Sequence, residues 1–281
     1  MSSDSNRAIL LVAFGTSYPE AQLSLEDIKN FYEEGFPEVE VRMAFTSDFI
    51  RKKLLKRDGF LVESPLTALA SLQDDGYSRV VVQSLHIIPG EEFHDLVNVV
   101  HGFKGIKSKF GFENLSLSMP LLMDMDDYHH VSQALKSQFN EITVAEGQVQ
   151  ENIREPGDMA IVLMGHGTEH PANSAYSQMS NILAEEYDNV FLGTVEGYPA
   201  FEDVLEQVKD SGVSKVRLMP FMIVAGDHAS NDMAGPEADS WKSMFEEEGF
   251  ETEILLKGMG ENDEIADIYV EHTLEAFDSF E

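Results

Sequence analysis

The sequence predicts an α/β fold of two similar lobes, each a parallel sheet flanked by helices, facing each other across a cleft. Three observations carry this. Short apolar runs alternate with longer stretches of helical period, the pattern of parallel strands covered by helices on both faces. The pattern occurs twice, with a repeat of about half the chain. Finally, 43% of the 281 residues are apolar, enough for packed cores in a chain whose formal charge is −32.

Taken in order, the strands read at 8–14, 39–44, 79–85, 116–119, 159–164, 190–194, 215–223 and 252–256. Helices fill the intervals. Pro171 stands at the first position of one whose core stripe is Tyr176, Met179, Leu183 and Tyr187. Pro236 opens and Gly249 closes another that carries Trp241, Met244 and Phe245. The stretch 141–158 has no clear period and contains Gly147, Pro156 and Gly157, so it reads as the connection between an N-terminal lobe at 1–140 and a C-terminal lobe at 159–281.

Composition narrows the function. With 51 acidic and 19 basic side chains the chain lacks the basic face that nucleic acid or an anionic membrane would require. It has no cysteine, so thiolate zinc sites, iron–sulfur clusters and a catalytic thiol are excluded, and any metal must sit on nitrogen and oxygen. Residues 1–7 are polar and no secretory signal pattern follows. No apolar run nears the ~20 residues of a membrane span. A cytoplasmic protein is expected.

The repeat makes the differences between its copies informative. Residues 8–16 can be laid on 160–168, with Gly15 on Gly167, Thr16 on Thr168 and, beyond them, Pro19 on Pro171. A second match sets His86 to Glu92 against Met222 to His228. On this overlay His166 stands opposite Phe14, and His228 opposite Glu92. Both histidines lie just past a strand, where open parallel sheets bind ligands, and Glu196 follows a third strand of the same lobe. Two imidazoles and a carboxylate suit a borderline divalent ion such as cobalt, nickel, iron or zinc, and three protein ligands leave positions open for substrate. A polar cap on a loop is the plainer reading for any one of them. Their shared placement, and the glycines flanking His166 that let a ligand come close, favour a site.

Four segments carry a resemblance. Gly165-His166-Gly167-Thr168, Thr194-Val195-Glu196-Gly197-Tyr198-Pro199, the run from Met219 through Asp227-His228-Ala229-Ser230-Asn231-Asp232-Met233, and Ser84-Leu85-His86-Ile87-Ile88-Pro89-Gly90-Glu91-Glu92 look like the anaerobic-pathway sirohydrochlorin cobalt chelatases of the CbiK type. The resemblance runs from Ala8 to about Phe277, and the Asp-His-Ala-Ser-Asn-Asp-Met run is its most specific part. It implies a class II chelatase of two α/β lobes that inserts Co²⁺ into a tetrapyrrole without ATP or an organic cofactor. It further implies that His166, Glu196 and His228 hold the metal, that His166 takes up protons, and that the protein is a homo-oligomer.

The chemistry suits these residue types. Insertion releases two pyrrole N–H protons, and a neutral imidazole, whose ordinary pKa is about 6.5, can hold an ion and accept a proton. In the opposite lobe Phe14 offers a ring to stack on the macrocycle, and His86 and Glu92 offer proton relays. The alternatives are that His86 satisfies a buried backbone group and that Glu91 and Glu92 favour a helix N-terminus. His170 reads as a helix-start residue, and His94, His101, His129, His130 and His272 as solvated helical positions. The ligand types do not select Co²⁺ over Fe²⁺ or Ni²⁺, and a non-catalytic haem- or metal-binding protein is the alternative to an enzyme. One tension stands: the tetrapyrrole is a polycarboxylate and the chain is strongly acidic. Arg51, Lys52, Lys53, Lys56 and Arg57 form its densest basic cluster, on what reads as a solvated helix face.

Overall fold

The computed structural model describes residues 6–139 and 159–280. The first sheet holds β1 (Arg7–Ala13), β2 (Glu40–Phe45), β3 (Arg79–Ser84) and β4 (Asn114–Leu117) in the order β2-β1-β3-β4. The second holds β5 (Met159–Gly165), β6 (Val190–Thr194), β7 (Lys215–Pro220) and β8 (Glu251–Ile254) in the order β6-β5-β7-β8. The strand pairings are parallel in both. Around the first run α1 (Pro19–Gly35), α2 (Asp48–Asp58), α3 (Pro65–Asp74) and α4 (Glu91–Lys104); then follow α5 (Met125–Phe139), α6 (Ser174–Glu186), α7 (Phe201–Ser211), α8 (Trp241–Glu247) and α9 (Asp263–Asp278). The inner strands are apolar without alternation because helices cover both their faces: residues 8–12 and 80–82 are fully buried in one core, and Ala160, Val162, Leu163 and Met164 in the other.

The duplication holds down to single hydrogen bonds. Ala8 pairs with Val80 as Ala160 pairs with Val216, so counting along the strands sets His86 on Met222, as the sequence overlay does. The carbonyls of His86 and Ile87 accept from the N–H groups of Leu121 and Leu122, and those of Met222 and Ile223 from Met259 and Gly260. Thr46 and Ser47 donate to the carbonyls of Ala13 and Phe14, and Val195 and Glu196 to those of Gly165 and His166. Gly15 and Gly167 both take positive φ, +95° and +79°.

The chain divides into two compact units that are not simple halves: Met1–Met123 with Asp263–Glu281, and Asp124–Asn262. The connection expected at 141–158 lies outside the described residues. Lobes read at 1–140 and 159–281 exchange a helix at each border. α5 belongs to the second unit, where Tyr187 donates its hydroxyl to the Ser132 carbonyl (3.0 Å) and Asn262 its amide to that of Ala134 (2.9 Å). α9 belongs to the first, where buried Thr273 donates to Gln83 Oε1 (2.7 Å) and lies 2.9 Å from the Tyr32 hydroxyl.

Further boundaries differ from the sequence reading: β4 lies at Asn114–Leu117 rather than 116–119, and β8 at Glu251–Ile254 rather than 252–256. β7 stops at Pro220 rather than 223, because its pairing with β5 ends at Met164–Pro220 and the chain bends at 222–224. Pro236 does not open α8; Ser240 caps it, its Oγ accepting from Ser243 N–H (3.1 Å). Pro171 begins a 3₁₀ turn that leads into α6, and Tyr187 lies just past that helix rather than in its stripe, whereas Tyr176, Met179 and Leu183 are buried as expected.

Candidate active site

The loop after β5 carries His166, exposed at the carboxyl end of the second sheet. Its shape is fixed from beneath and from the side. The Tyr176 ring packs so close under Gly165 that a Cβ there would lie 2.6 Å from it. Its hydroxyl accepts from the backbone N–H groups of His166 and Gly167, and burial pushes its pKa up to about 12, so it stays a phenol. A Cβ on Gly167 would meet the Glu196 carbonyl at 2.5 Å, so only glycine lets the His166 and Glu196 loops touch. Asn173 ties the same loops together: its Oδ1 accepts from Thr168 N–H (3.0 Å) and its Nδ2 donates to the Tyr198 carbonyl (2.8 Å). His170 caps the turn between them, with Nδ1 accepting from Ala172 N–H at 3.1 Å.

His228 precedes the π-helical turn Ala229–Met233, and its ring meets that of His166 edge to face, centroids 4.5 Å apart at 85°. In both rings Nδ1 is engaged, at 2.8 Å from the Gly167 carbonyl in His166 and 2.6 Å from Asp232 Oδ2 in His228. A carbonyl oxygen and a carboxylate only accept, so Nδ1 donates in each, an arrangement that in a neutral ring leaves the lone pair on Nε2. The site therefore offers two imidazole nitrogens of fixed tautomer, one backed by a carboxylate, the arrangement that orients and strengthens a metal-binding histidine.

Glu196 is exposed one loop away, its N–H donating to the His166 carbonyl at 2.7 Å. The three donors read from sequence are thus neighbours, but only the two imidazoles touch. Among the described residues no three His, Asp or Glu side chains form a group set to hold an ion. In the first unit Phe14 is 49% exposed past β1, His86 follows β3, and Glu92 stands in the first turn of α4. His86 does not serve a backbone group through its ring. Its Nδ1 lies 2.8 Å from Ser84 Oγ, its Nε2 is buried with no hydrogen-bond partner among the described residues, and burial lowers its pKa to about 4. Of the helical histidines read as solvated, His94, His101 and His130 are exposed, while His129 and His272 are half-buried, His129 bonding Glu186 at 2.8 Å. Asn173, Asp232 and the Tyr176 hydroxyl shape the site without standing out in the sequence; of the three, Asp232 carries a signal, since it lies one helical turn after His228.

Residues 7–278 match the family model described as cobalt chelatase (CbiK). The chain belongs to that family. Within the cobalt chelatase family it is similar to the sirohydrochlorin cobaltochelatase of Salmonella typhimurium, at 36% identity over 271 residues covering 96% of each chain. It is likewise similar to the sirohydrochlorin cobaltochelatase CbiKC of Nitratidesulfovibrio vulgaris, at 35% identity over 95% of this chain and 89% of that one. Solved structures extend the likeness to the fold. The sirohydrochlorin chelatase SirB from Bacillus subtilis subspecies spizizenii in complex with cobalt matches with a TM-score of 0.60, at 12% identity over 98% of this chain and 96% of that one. SirB from Bacillus subtilis with Fe³⁺ matches at 0.62, with 14% identity over 96% and 95%. No helix among the described residues is long and apolar enough to cross a membrane.

Proposed function

We propose that this chain is a sirohydrochlorin cobaltochelatase, inserting Co²⁺ into sirohydrochlorin with loss of two pyrrole protons. The observation that carries the reading is the pair of facing imidazoles, His166 and His228, each with Nδ1 engaged and Nε2 free to donate. In this reading Nε2 of both rings takes the incoming ion, and the exposed Glu196 carboxylate adds the negative charge that favours a dication. As the ion passes to the ring nitrogens, His166 Nε2 is vacated and accepts the two pyrrole protons in turn, releasing each to solvent. The Asp232 carboxylate stabilises the imidazolium-like charge on His228 while the metal is held. Phe14, with its exposed ring, serves as a stacking surface for the tetrapyrrole, and His86 and Glu92 lie at the same end of the first sheet.

Nitrogen and carboxylate donors accept Fe²⁺ and Ni²⁺ as well, so the choice of cobalt rests on the relatives rather than on the ligands. The test is absorbance of metal-free sirohydrochlorin with Co²⁺, Fe²⁺ or Ni²⁺, with and without the protein. Acceleration by Co²⁺ above the uncatalysed rate supports the assignment. Acceleration by Fe²⁺ or Ni²⁺ alone would reassign the metal. Tight binding of tetrapyrrole or metal without acceleration by any ion would make the chain a binding protein.

A further inference from the structure

Around their strand ends the two units repeat the same hydrogen bonds, and between β2 and α3 the first unit departs. Between β6 and α7 the second unit uses residues 195–200; between β2 and α3 the first uses 46–64. Thr46 and Ser47 make the backbone contacts that Val195 and Glu196 make, and then the chain leaves, forms α2 and returns at Glu63, whose carbonyl accepts from Phe45 N–H at 3.1 Å. Where one copy places the Glu196 carboxylate, the other places Ser47, whose Oγ caps α2 by accepting from Ile50 N–H. The added helix thus sits at the carboxyl end of the first sheet, the end at which open parallel sheets bind ligands.

α2 is not there to build the core: Leu54 is its one buried residue. Its charge is also opposite to the chain's. Arg51, Lys52, Lys53, Lys56 and Arg57 stand against Asp48 and Asp58, in a sequence with 51 acidic and 19 basic residues. Arg51 and Lys52 are neutralised by Asp48, and Arg57 by Asp58. Arg57 also donates to the Ser17 carbonyl (2.8 Å), which fastens α2 to the loop after β1 that begins at Phe14. Lys53 and Lys56 are exposed with no acidic partner among the described residues. The Lys53 ammonium lies 5.8 Å from the centre of the Tyr18 ring and 6.0 Å from that of Phe49. Lys53 is thereby held beside Tyr18 in the loop after β1 and beside the exposed Phe49, and Lys56 follows it one helical turn on, in an otherwise anionic protein.

We propose that α2 is the element that recognises the peripheral carboxylates of the tetrapyrrole, Lys53 and Lys56 forming the ion pairs. The proposal rests on the reading above that the substrate is a polycarboxylate macrocycle. It resolves how so acidic a chain captures an acidic substrate: the attraction is local, and the repulsion from the rest of the chain is screened beyond ~8 Å at physiological ionic strength.

The test is steady-state kinetics of the Lys53→Glu/Lys56→Glu double variant with sirohydrochlorin and Co²⁺ at two salt concentrations, alongside fluorescence titration with metal-free uroporphyrin, also a polycarboxylate. The expected result is a rise of about tenfold or more in KM and in the uroporphyrin dissociation constant, largest at low salt, with Co²⁺ binding unchanged. Lys107→Glu, an exposed lysine between α4 and β4, controls for net charge and should move neither. A KM within about twofold of wild type, or an equal rise in the control, overturns the proposal. If the wild type turns over while the double variant keeps its KM, the role of α2 fails and the chelatase reading stands. If the wild type neither turns over nor binds either tetrapyrrole, both fail.

Discussion

His166 and His228 stand edge to face with ring centroids 4.5 Å apart, and each directs its Nδ1 to an oxygen of its own segment. Neither ring fills a core, since His166 is exposed and His228 half-buried. A side chain held this closely without contributing to packing can be removed without unfolding the lobe. His166→Ala should lower turnover by about 100-fold or more while tetrapyrrole affinity is largely kept, as single-turnover absorbance and fluorescence titration would reveal. Affinity and turnover falling together would argue for a binding role instead.

Asp232 acts through His228. Removing its carboxylate frees the ring to rotate and to change tautomer, so Asp232→Ala should weaken Co²⁺ binding by about 10- to 100-fold. Asp232→Asn keeps an oxygen that accepts from Nδ1 and should lose less. Calorimetric titration with Co²⁺ ranks the three proteins, and equal affinities would show that His228 needs no support.

His86 gives a dependence of stability on pH. Its pKa is lowered from 6.5 to about 4 by burial, so between those values the unfolded chain binds a proton that the folded chain refuses. Stability from this group is therefore fully present above about pH 6.5 and is lost as pH falls toward 4, by an amount on the order of 3 kcal/mol at most. Denaturant unfolding of wild type and His86→Gln across this range should show the steeper acid loss in the wild type.

Two glycines separate conformational strain from collision. Gly59 closes α2 at φ +68° with open space around it, whereas Gly167 at φ +79° would drive a Cβ to 2.5 Å from the Glu196 carbonyl. Gly59→Ala should cost about 1 kcal/mol, the left-handed penalty alone. Gly167→Ala should cost clearly more, about 3 kcal/mol, and depress turnover by displacing the Glu196 loop. Thermal unfolding and steady-state rates measure both.

What the sequence discloses follows from what is local in it. The strands are legible because an inner parallel strand must be apolar throughout, as 8–12 and 160–164 are. The copy-to-copy overlay is legible because the shared register preserves Gly15 and Gly167 and exposes the change from Phe14 to His166. The partnership of α5 and α9 is not, since an amphipathic helix says that it covers a sheet without saying which. Nor does sequence alone reveal that Asn173 bridges two loops, because its partners Thr168 and Tyr198 are brought to it only by the packing of α6. The α2 excursion is visible as basic composition, but its place becomes clear only when β2 and β6 are superimposed through their hydrogen bonds.

The assignment of α9 to the first unit bears on how the chain reaches its native state. Tyr269 donates to the His86 carbonyl, and Thr273 completes the buried chain from Tyr32 to Gln83. These partners cannot meet until everything through residue 273 has emerged from the ribosome. The first sheet to be synthesised must therefore wait, incompletely sealed, for a helix encoded after the whole of its sister, so the second unit, complete in sequence at Asn262, can close before the first.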